Sequence, residues 1–345
     1  MGASGALLAG VTGASTPAQA TTGTVYDVST FTQLDRAVSV LKAGDTVKIE
    51  PGTYPVGSWR PRLATFGHHA IGTAAAPIVV TAANPARPPL LVGSVKLDSP
   101  DYWRISNLRI QGTLPTTDTL TVNGGTGWSL MHSEIFGARA TGALANVVVA
   151  KLTTMPTNWT IAYNAIHDGG ATASQAGKQH EIYCTAVGNA GHALIVRNAL
   201  YNTPEGAGVK LGNGGLANSP GISGVQVTDN TLVNSFEQIL LHGQVSNNTI
   251  AGNLLIRSTR ALGNGATVGV YLAGVTGRNN LIKNNYLYSV TSPIYDNNST
   301  GSYLNGGNNT VHADPRFDAA TPWTFHPTTT AAQAYGRYDH TPSWH

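Results

Sequence analysis

Cysteine is almost missing from this chain: Cys184 is the only one in 345 residues. That excludes an intrachain disulfide framework. Alternation with Ile182 places Cys184 inward, where a buried thiol is inert rather than nucleophilic. Charge is also scarce, with 20 Lys plus Arg against 17 Asp plus Glu and a net charge near +3. No Lys/Arg run occurs, so nothing points to a nucleic-acid partner. The slight positive balance suits a polyanion but does not by itself establish one. No apolar run is long enough to span a membrane. The closely spaced histidines that mark a zinc site are absent, and no metal ligand set is assigned. Acidic residues are scattered, which leaves room for a single Ca²⁺ but no carboxylate cage, and no cofactor is expected.

No Lys or Arg precedes Arg36. Residues 1–22 are rich in small residues, with a short apolar stretch Ala6–Val11 and a small-x-small site at Ala18-Gln19-Ala20. They read as a secretion signal lacking its basic start, or as a disordered leader. The expectation is an extracellular protein with one domain over 23–345. Oligomeric state is not legible.

Glycine is plentiful, at 40 residues, as tight turns require. The pattern hydrophobic–x–x–Asn–x–hydrophobic recurs at Ile161–Ile166, Ile195–Leu200, Val227–Leu232, Val245–Ile250 and Ile282–Leu287. Its fourth position holds Asn164, Asn198, Asn230, Asn248 and Asn285. Degenerate copies precede it at Ile105–Ile110 and Leu130–Ile135. A strand–bend–strand unit repeated without intervening helices predicts an all-β, right-handed parallel β-helix solenoid. Asn at a bend tolerates left-handed backbone, and stacked carboxamides can bond to one another.

A second strand family contains His180–Cys184, Gly208–Leu211, Gln238–His242, Gly269–Leu272 and Pro293–Tyr295. Ile182, Val209, Ile239, Val270 and Ile294 form its inward row. Two-residue alternation then turns Glu181, Tyr183, Lys210, Gln238, Leu240, His242 and Tyr271 outward. At the N-terminal end, Thr30 and Gln33 form a capping box before Phe31, Leu34, Ala37, Val38 and Leu41. This predicts a capping helix over 30–41. Val47–Ile49 and Ile78–Val80 read as the first strands. A polar loop over 58–76 carries Trp59, Arg62, His68 and His69, suited either to sugar stacking and an anionic contact or to packing over the helical cap. The tail from Asp314 to Pro327 is expected to pack on the last coil.

Several segments resemble the pectate-lyase superfamily of right-handed parallel β-helices. They are the opening helix with Ala43–Val47 and Glu50-Pro51-Gly52-Thr53-Tyr54, then Gly72-Thr73 ahead of Pro77–Val80, Trp103–Leu108, and Asp314-Pro315-Arg316-Phe317. The resemblance covers about 25–330. It implies a carbohydrate polymer lying along an exposed parallel sheet, and it spans lyases, hydrolases, epimerases, transferases and adhesins, so fold alone does not choose among them. The galacturonan-hydrolase pattern is absent: there is no Asp-Asp pair and no Gly-His-Gly.

The densest chemical cluster runs from Lys178 to Lys210. β-Elimination of a uronan needs a positive group on the C6 carboxylate, a base for the C5 proton and an acid for the departing O4. Lys210 is assigned to the carboxylate, Tyr183 to proton transfer with its pKa lowered by the lysine, and His180 to the partner proton transfer. Lys178, Glu181, Arg197 and His242 join the loop residues as substrate contacts. His167-Asp168 is an acid–base pair or a turn. Hydrolysis would instead need two carboxyl groups, best supplied by Glu181 with Glu205 or Glu237. The expectation is a polysaccharide lyase on an acidic polymer, with hydrolase or transferase, epimerase and non-catalytic binder as alternatives.

Overall fold

The computed structural model describes residues 23–61, 70–138, 145–170, 179–212, 221–259, 261–301, 303–317 and 325–336, with backbone alone at 64–65 and 68–69. The leader (1–22), Arg62 and Lys178 therefore lie outside the described residues, as do the side chains of His68 and His69.

The repeat folds the same way each time because of one backbone feature. Its third position is left-handed in Asn107, His132, Tyr163, Arg197, Asp229 and Asn284, with φ between 49° and 57°. That single residue breaks the alternation of the strand and turns the fourth side chain inward. The result is a buried ladder. Asn164 Nδ2 donates to Asn198 Oδ1 at 3.0 Å, Asn198 to Asn230 at 2.9 Å, and Asn230 to Asn253 at 3.1 Å. Asn253 continues to Asn285 at 2.9 Å and Asn285 to Asn309 at 2.8 Å.

One expected rung is corrected. Asn248 belongs to a separate short ladder, donating to Asn280 at 3.0 Å. The main rung is Asn253, in Ile250-Ala251-Gly252-Asn253-Leu254-Leu255, which obeys the same pattern five residues later. Overlap of the two matches hid it.

The strands form two parallel sheets, of twelve and fifteen strands. The expected inward row is observed in register: Ile182 pairs with Val209, Val209 with Ile239, Ile239 with Val270, and Val270 with Ile294. The expectation of an open right-handed β-helix solenoid, and the superfamily resemblance insofar as it implied one, are corrected by the pairing of the second sheet. Eight of its strands close into a parallel barrel. In order they are Leu90–Asp98, Leu120–Asn123, Ala145–Ala150, His180–Thr185, Ala199–Leu211, Ala165–His167, Glu134–Phe136 and Arg109–Gln111, the last returning to Leu90–Asp98. Closure depends on two long strands. Leu90–Val92 pairs on one side of the ring while Val95–Asp98 pairs on the other. Ala199–Tyr201 and Val209–Leu211 divide the same way within a strand of 13 residues. A repeat pattern reports the unit and its spacing, not whether one strand bends to join two rows. The other sheet stays open.

The helix Phe31–Val38 covers one end, shorter than predicted. Thr30 caps it by accepting from Gln33 N–H, and Gln33 Oε1 accepts from Ser29 N–H at 2.9 Å. Leu34, Ala37, Val38 and Leu41 enter a core continuous with Trp103, Trp128 and Trp159. The C-terminal segment does not sit on the last coil alone. It lies along the flank of the second sheet, where Phe325 packs on Tyr201 and Tyr335 on Tyr286. Thr231 Oγ1 donates to Gly336 C=O at 2.6 Å. Among the described residues no helix is long and apolar enough to cross a membrane.

Candidate active site

The outward face of the second sheet is built by register. Tyr183 pairs with Lys210, Lys210 with Leu240, Leu240 with Tyr271, and Tyr271 with Tyr295. Neighbours in such a row are about 4.8 Å apart. Lys210 Nζ lies 4.7 Å from the Tyr183 ring centroid, a cation–π contact. The His180 ring stands 5.4 Å from the Tyr183 ring, so the two share one side of the strand. Thus Lys210, Tyr183 and His180 are brought together as the sequence suggested.

Burial is the largest influence on the electrostatics of all three. Burial raises the Tyr183 phenol above its ordinary value, a shift only partly offset by a hydrogen bond with Thr185. The expected lowering by Lys210 does not prevail, and Tyr183 stays a protonated phenol. His180 is fully buried, and its Nδ1 accepts the Ala207 N–H at 3.0 Å. Burial, then the nearby Lys210 charge, holds it well below its usual pKa. Burial lowers the Lys210 ammonium as well, against an upward pull from the Glu237 carboxylate. His242 is half-buried, and burial followed by the Lys210 charge keeps it neutral at pH 7. Glu237, a candidate carboxyl partner of Glu181, is buried, and its charge reaches Lys210.

The strand Ala199–Leu211 is irregular between Thr203 and Ala207, and regular pairing resumes at Val209 and Lys210. Gly206 allows the irregularity, since a Cβ there would overlap the Gln179 carbonyl oxygen.

Glu181 is not outward. It is fully buried, accepting from Asn146 Nδ2 at 2.5 Å, Gly169 N–H at 3.0 Å and the Thr203 hydroxyl. Alternation fails because the chain bends at the strand entrance. Burial pushes its carboxyl from an ordinary 4.5 to about 7, the three donors opposing that rise. A pKa raised by folding gives stability that is complete below the ordinary value and lost as pH rises through the folded one. The thermal midpoint is therefore expected to fall between pH 5 and 7, by on the order of 3 kcal/mol in stability for a shift of this size. Glu181→Gln should flatten that slope. An unchanged slope in the variant would show that Glu181 is not its source.

Other candidates fall elsewhere. Arg197 lies at a bend of the first sheet, donating to the Tyr163 hydroxyl at 2.8 Å. Trp59 is committed to the helix cap, with Nε1 donating to Asp35 at 2.8 Å and the ring edge-on to Phe31. His68-His69 forms a two-residue strand paired with Ala64-Thr65. Cys184 is buried in the core, and burial pushes its thiol up. Among the described residues no three His, Cys, Asp or Glu side chains group as metal ligands.

His167-Asp168 is more than a turn. Asp168 Oδ2 meets His167 Nδ1 at 2.9 Å, His167 Nε2 meets Glu134 at 3.2 Å, and Arg109 pairs with Glu134. Burial alone would lower His167, but the hydrogen bonds to Asp168 and Glu134 overrule it and raise it to about 9. Its ring is stacked between Phe136 at 5.2 Å and Tyr201 at 4.5 Å. A sequence signal existed: Arg109 and Glu134 occupy the same fifth position of adjacent repeat copies.

With this geometry in place, comparison with known proteins places the fold. No family model matches the chain, and no curated protein does. The solved structure of the family 6 alginate lyase AlyGC aligns at a TM-score of 0.50 and 15% identity, over 83% of this chain and 41% of that one. The chain is similar in fold to a polysaccharide lyase. It spans about two fifths of that enzyme's length. A mannuronic acid specific polysaccharide family 6 lyase from human gut microbiota aligns at 0.49 and 15% identity, over 77% of this chain and 65% of that one. The Dettilon tailspike protein gp208 aligns at 0.43 and 14%, over 81% and 61%. At these identities the likeness concerns fold alone.

Proposed function

We propose that the Lys210 face binds a uronate-containing extracellular polysaccharide and cleaves it by β-elimination. The observation that carries this reading is the Lys210–Tyr183 contact on the outward row of a parallel sheet, with His242 and Glu237 within electrostatic reach. Lys210 neutralises the C6 carboxylate and so acidifies the C5 proton. His242, a neutral imidazole, accepts that proton. The C4–O4 bond breaks as a C4–C5 double bond forms, and Tyr183 delivers its phenolic proton to O4. The transfer role expected for His180 passes to His242, because the His180 ring is buried and its Nδ1 is occupied. His180 instead supports the Ala207 backbone that carries Lys210.

Fold similarity to alginate lyases supports an acidic polysaccharide as the polymer class and secretion as the setting. Hydrolysis is less well supported: the Glu181 oxygens are held by Asn146, Gly169 and Thr203, away from the outward face. Pectate, alginate, glucuronan and glycosaminoglycans should be screened for the ultraviolet absorbance of a conjugated unsaturated uronate. At least one is expected to give it. New reducing ends without that absorbance would replace elimination by hydrolysis, and binding without either product would make the protein a carbohydrate binder.

A further inference from the structure

Where the flank of the second sheet turns toward the Lys210 face, each repeat places one left-handed residue. Asp168, Asn202, Asn234 and Arg257 hold this position in successive repeats, with φ between 54° and 62°. Left-handed backbone presents their side chains as a row. The row is bonded head to tail: Arg257 donates to Asn234 at 3.4 Å, Asn234 to Asn202 at 3.3 Å, and Asn202 to Asp168 at 3.2 Å. Beside it runs an open groove of about 670 Å³, lined by Gln111, Phe136, Asp168, Asn202, Asn234 and Thr259 among others.

The chemistry of that groove differs from that of the Lys210 face. A carboxamide has two donor hydrogens and two acceptor lone pairs. The row uses one of each, so Asn202 and Asn234 each retain a donor and an acceptor for the groove. That paired presentation matches adjacent hydroxyls of a sugar ring. Asp168 is half exposed and holds the one formal charge among the described lining residues. The hydrogen bond from His167 lowers its pKa, so it remains a carboxylate at pH 7. His167 is itself anchored through Glu134 to Arg109 and clamped between two rings, which fixes the carboxylate's position. This fixed anion accepts from hydroxyls, and Arg257 at the other end of the row balances its charge, so the row offers no net charge to a uronate.

The geometry points to a second saccharide site in this groove, taking a neutral, hydroxyl-rich chain of about three sugars rather than a uronan. The row extends over three strand steps, about 14 Å. Such a site would hold the protein on a mixed polysaccharide through its uncharged portion. The inference concerns binding and stands apart from the cleavage reading.

The test is calorimetric titration of the full chain with hexasaccharides from galactan, mannan and glucan, and with hexagalacturonate as the acidic probe. At least one neutral hexamer is expected to bind, and to protect the backbone amides of 199–204 and 231–236 from hydrogen exchange. Asn202→Gly combined with Asn234→Gly keeps the left-handed backbone, which glycine adopts freely, and removes both carboxamides. That variant should lose at least 10-fold in affinity with its thermal midpoint unchanged. Should it fail to fold, the exchange pattern of the unaltered protein decides alone. No neutral hexamer bound at millimolar concentration, equal binding by the folded variant, protection confined to other segments, or tighter binding of hexagalacturonate in this groove would each overturn the proposal.

Discussion

Lys210→Ala and Tyr183→Phe are each expected to reduce turnover of the susceptible uronan at least 100-fold, the lower end for a positioned proton-transfer group. The Tyr183 change removes only the hydroxyl, and its ring still packs against Ala145 and Val148. The phenol's raised pKa makes it a proton donor, so loss of the hydroxyl should fall on turnover more than on polymer affinity. Lys210→Ala removes the one side chain whose charge reaches His180, His242 and Glu237 together. Lys210→Arg should recover only part of the loss, because a planar guanidinium does not occupy the place of a compact ammonium above the Tyr183 ring. Neither change touches the inward row, so the thermal midpoint should move little. Near-normal turnover in both variants, measured as the rate of unsaturated-product formation, would remove the site from this face.

The second large effect is structural. Asn230→Asp is expected to destabilise the protein by about 3–5 kcal/mol, through two or more buried polar groups left without partners. Asn230 Nδ2 donates to Ile195 C=O at 2.8 Å and to Asn253 Oδ1 at 3.1 Å, while its Oδ1 accepts from Asn198 at 2.9 Å. A carboxyl keeps the accepting oxygen but sets its other oxygen against three acceptors, the Thr228 C=O at 3.0 Å being the third. Either a charge is buried or those oxygens face one another. Asn284→Asp makes the same chemical change one residue before a rung, at an exposed position. It should cost less than about 1 kcal/mol. Equal losses in the two variants, read from thermal or urea unfolding, would show that the ladder does not distinguish buried from exposed carboxamides.

The residues that announce the repeat also explain what could be read from it. Asn164, Asn198, Asn230 and Asn285 were legible because one left-handed residue before each turns it inward. Asn253 was hidden only because the Asn248 match overlaps it. Pairing of Ile182, Val209, Ile239, Val270 and Ile294 followed from apolar alternation within straight strands. Closure of the second sheet was not legible, since it depends on the bends of Leu90–Asp98 and Ala199–Leu211, and composition does not report a bend. For the same reason Glu181 was misplaced. The Lys210–Tyr183 neighbourhood was visible as register, but the direction of the Tyr183 shift was not. It depends on burial by neighbouring chain, which outweighs the nearby cation. The Arg109–Glu134–His167–Asp168 chain joins three repeats, and a reading confined to local turns separated its members.

The central claim is elimination at Lys210, and the mass of the products tests it most directly. Each cut by elimination yields a new non-reducing end one water lighter than the end produced by hydrolysis. The unaltered protein, given the uronan that responds in the absorbance screen, should produce oligosaccharides bearing that lighter end. Lys210→Ala, folded and at the same concentration, should produce almost none. Fully hydrated ends from the unaltered protein, or lighter ends formed at the same rate by Lys210→Ala, would contradict the account.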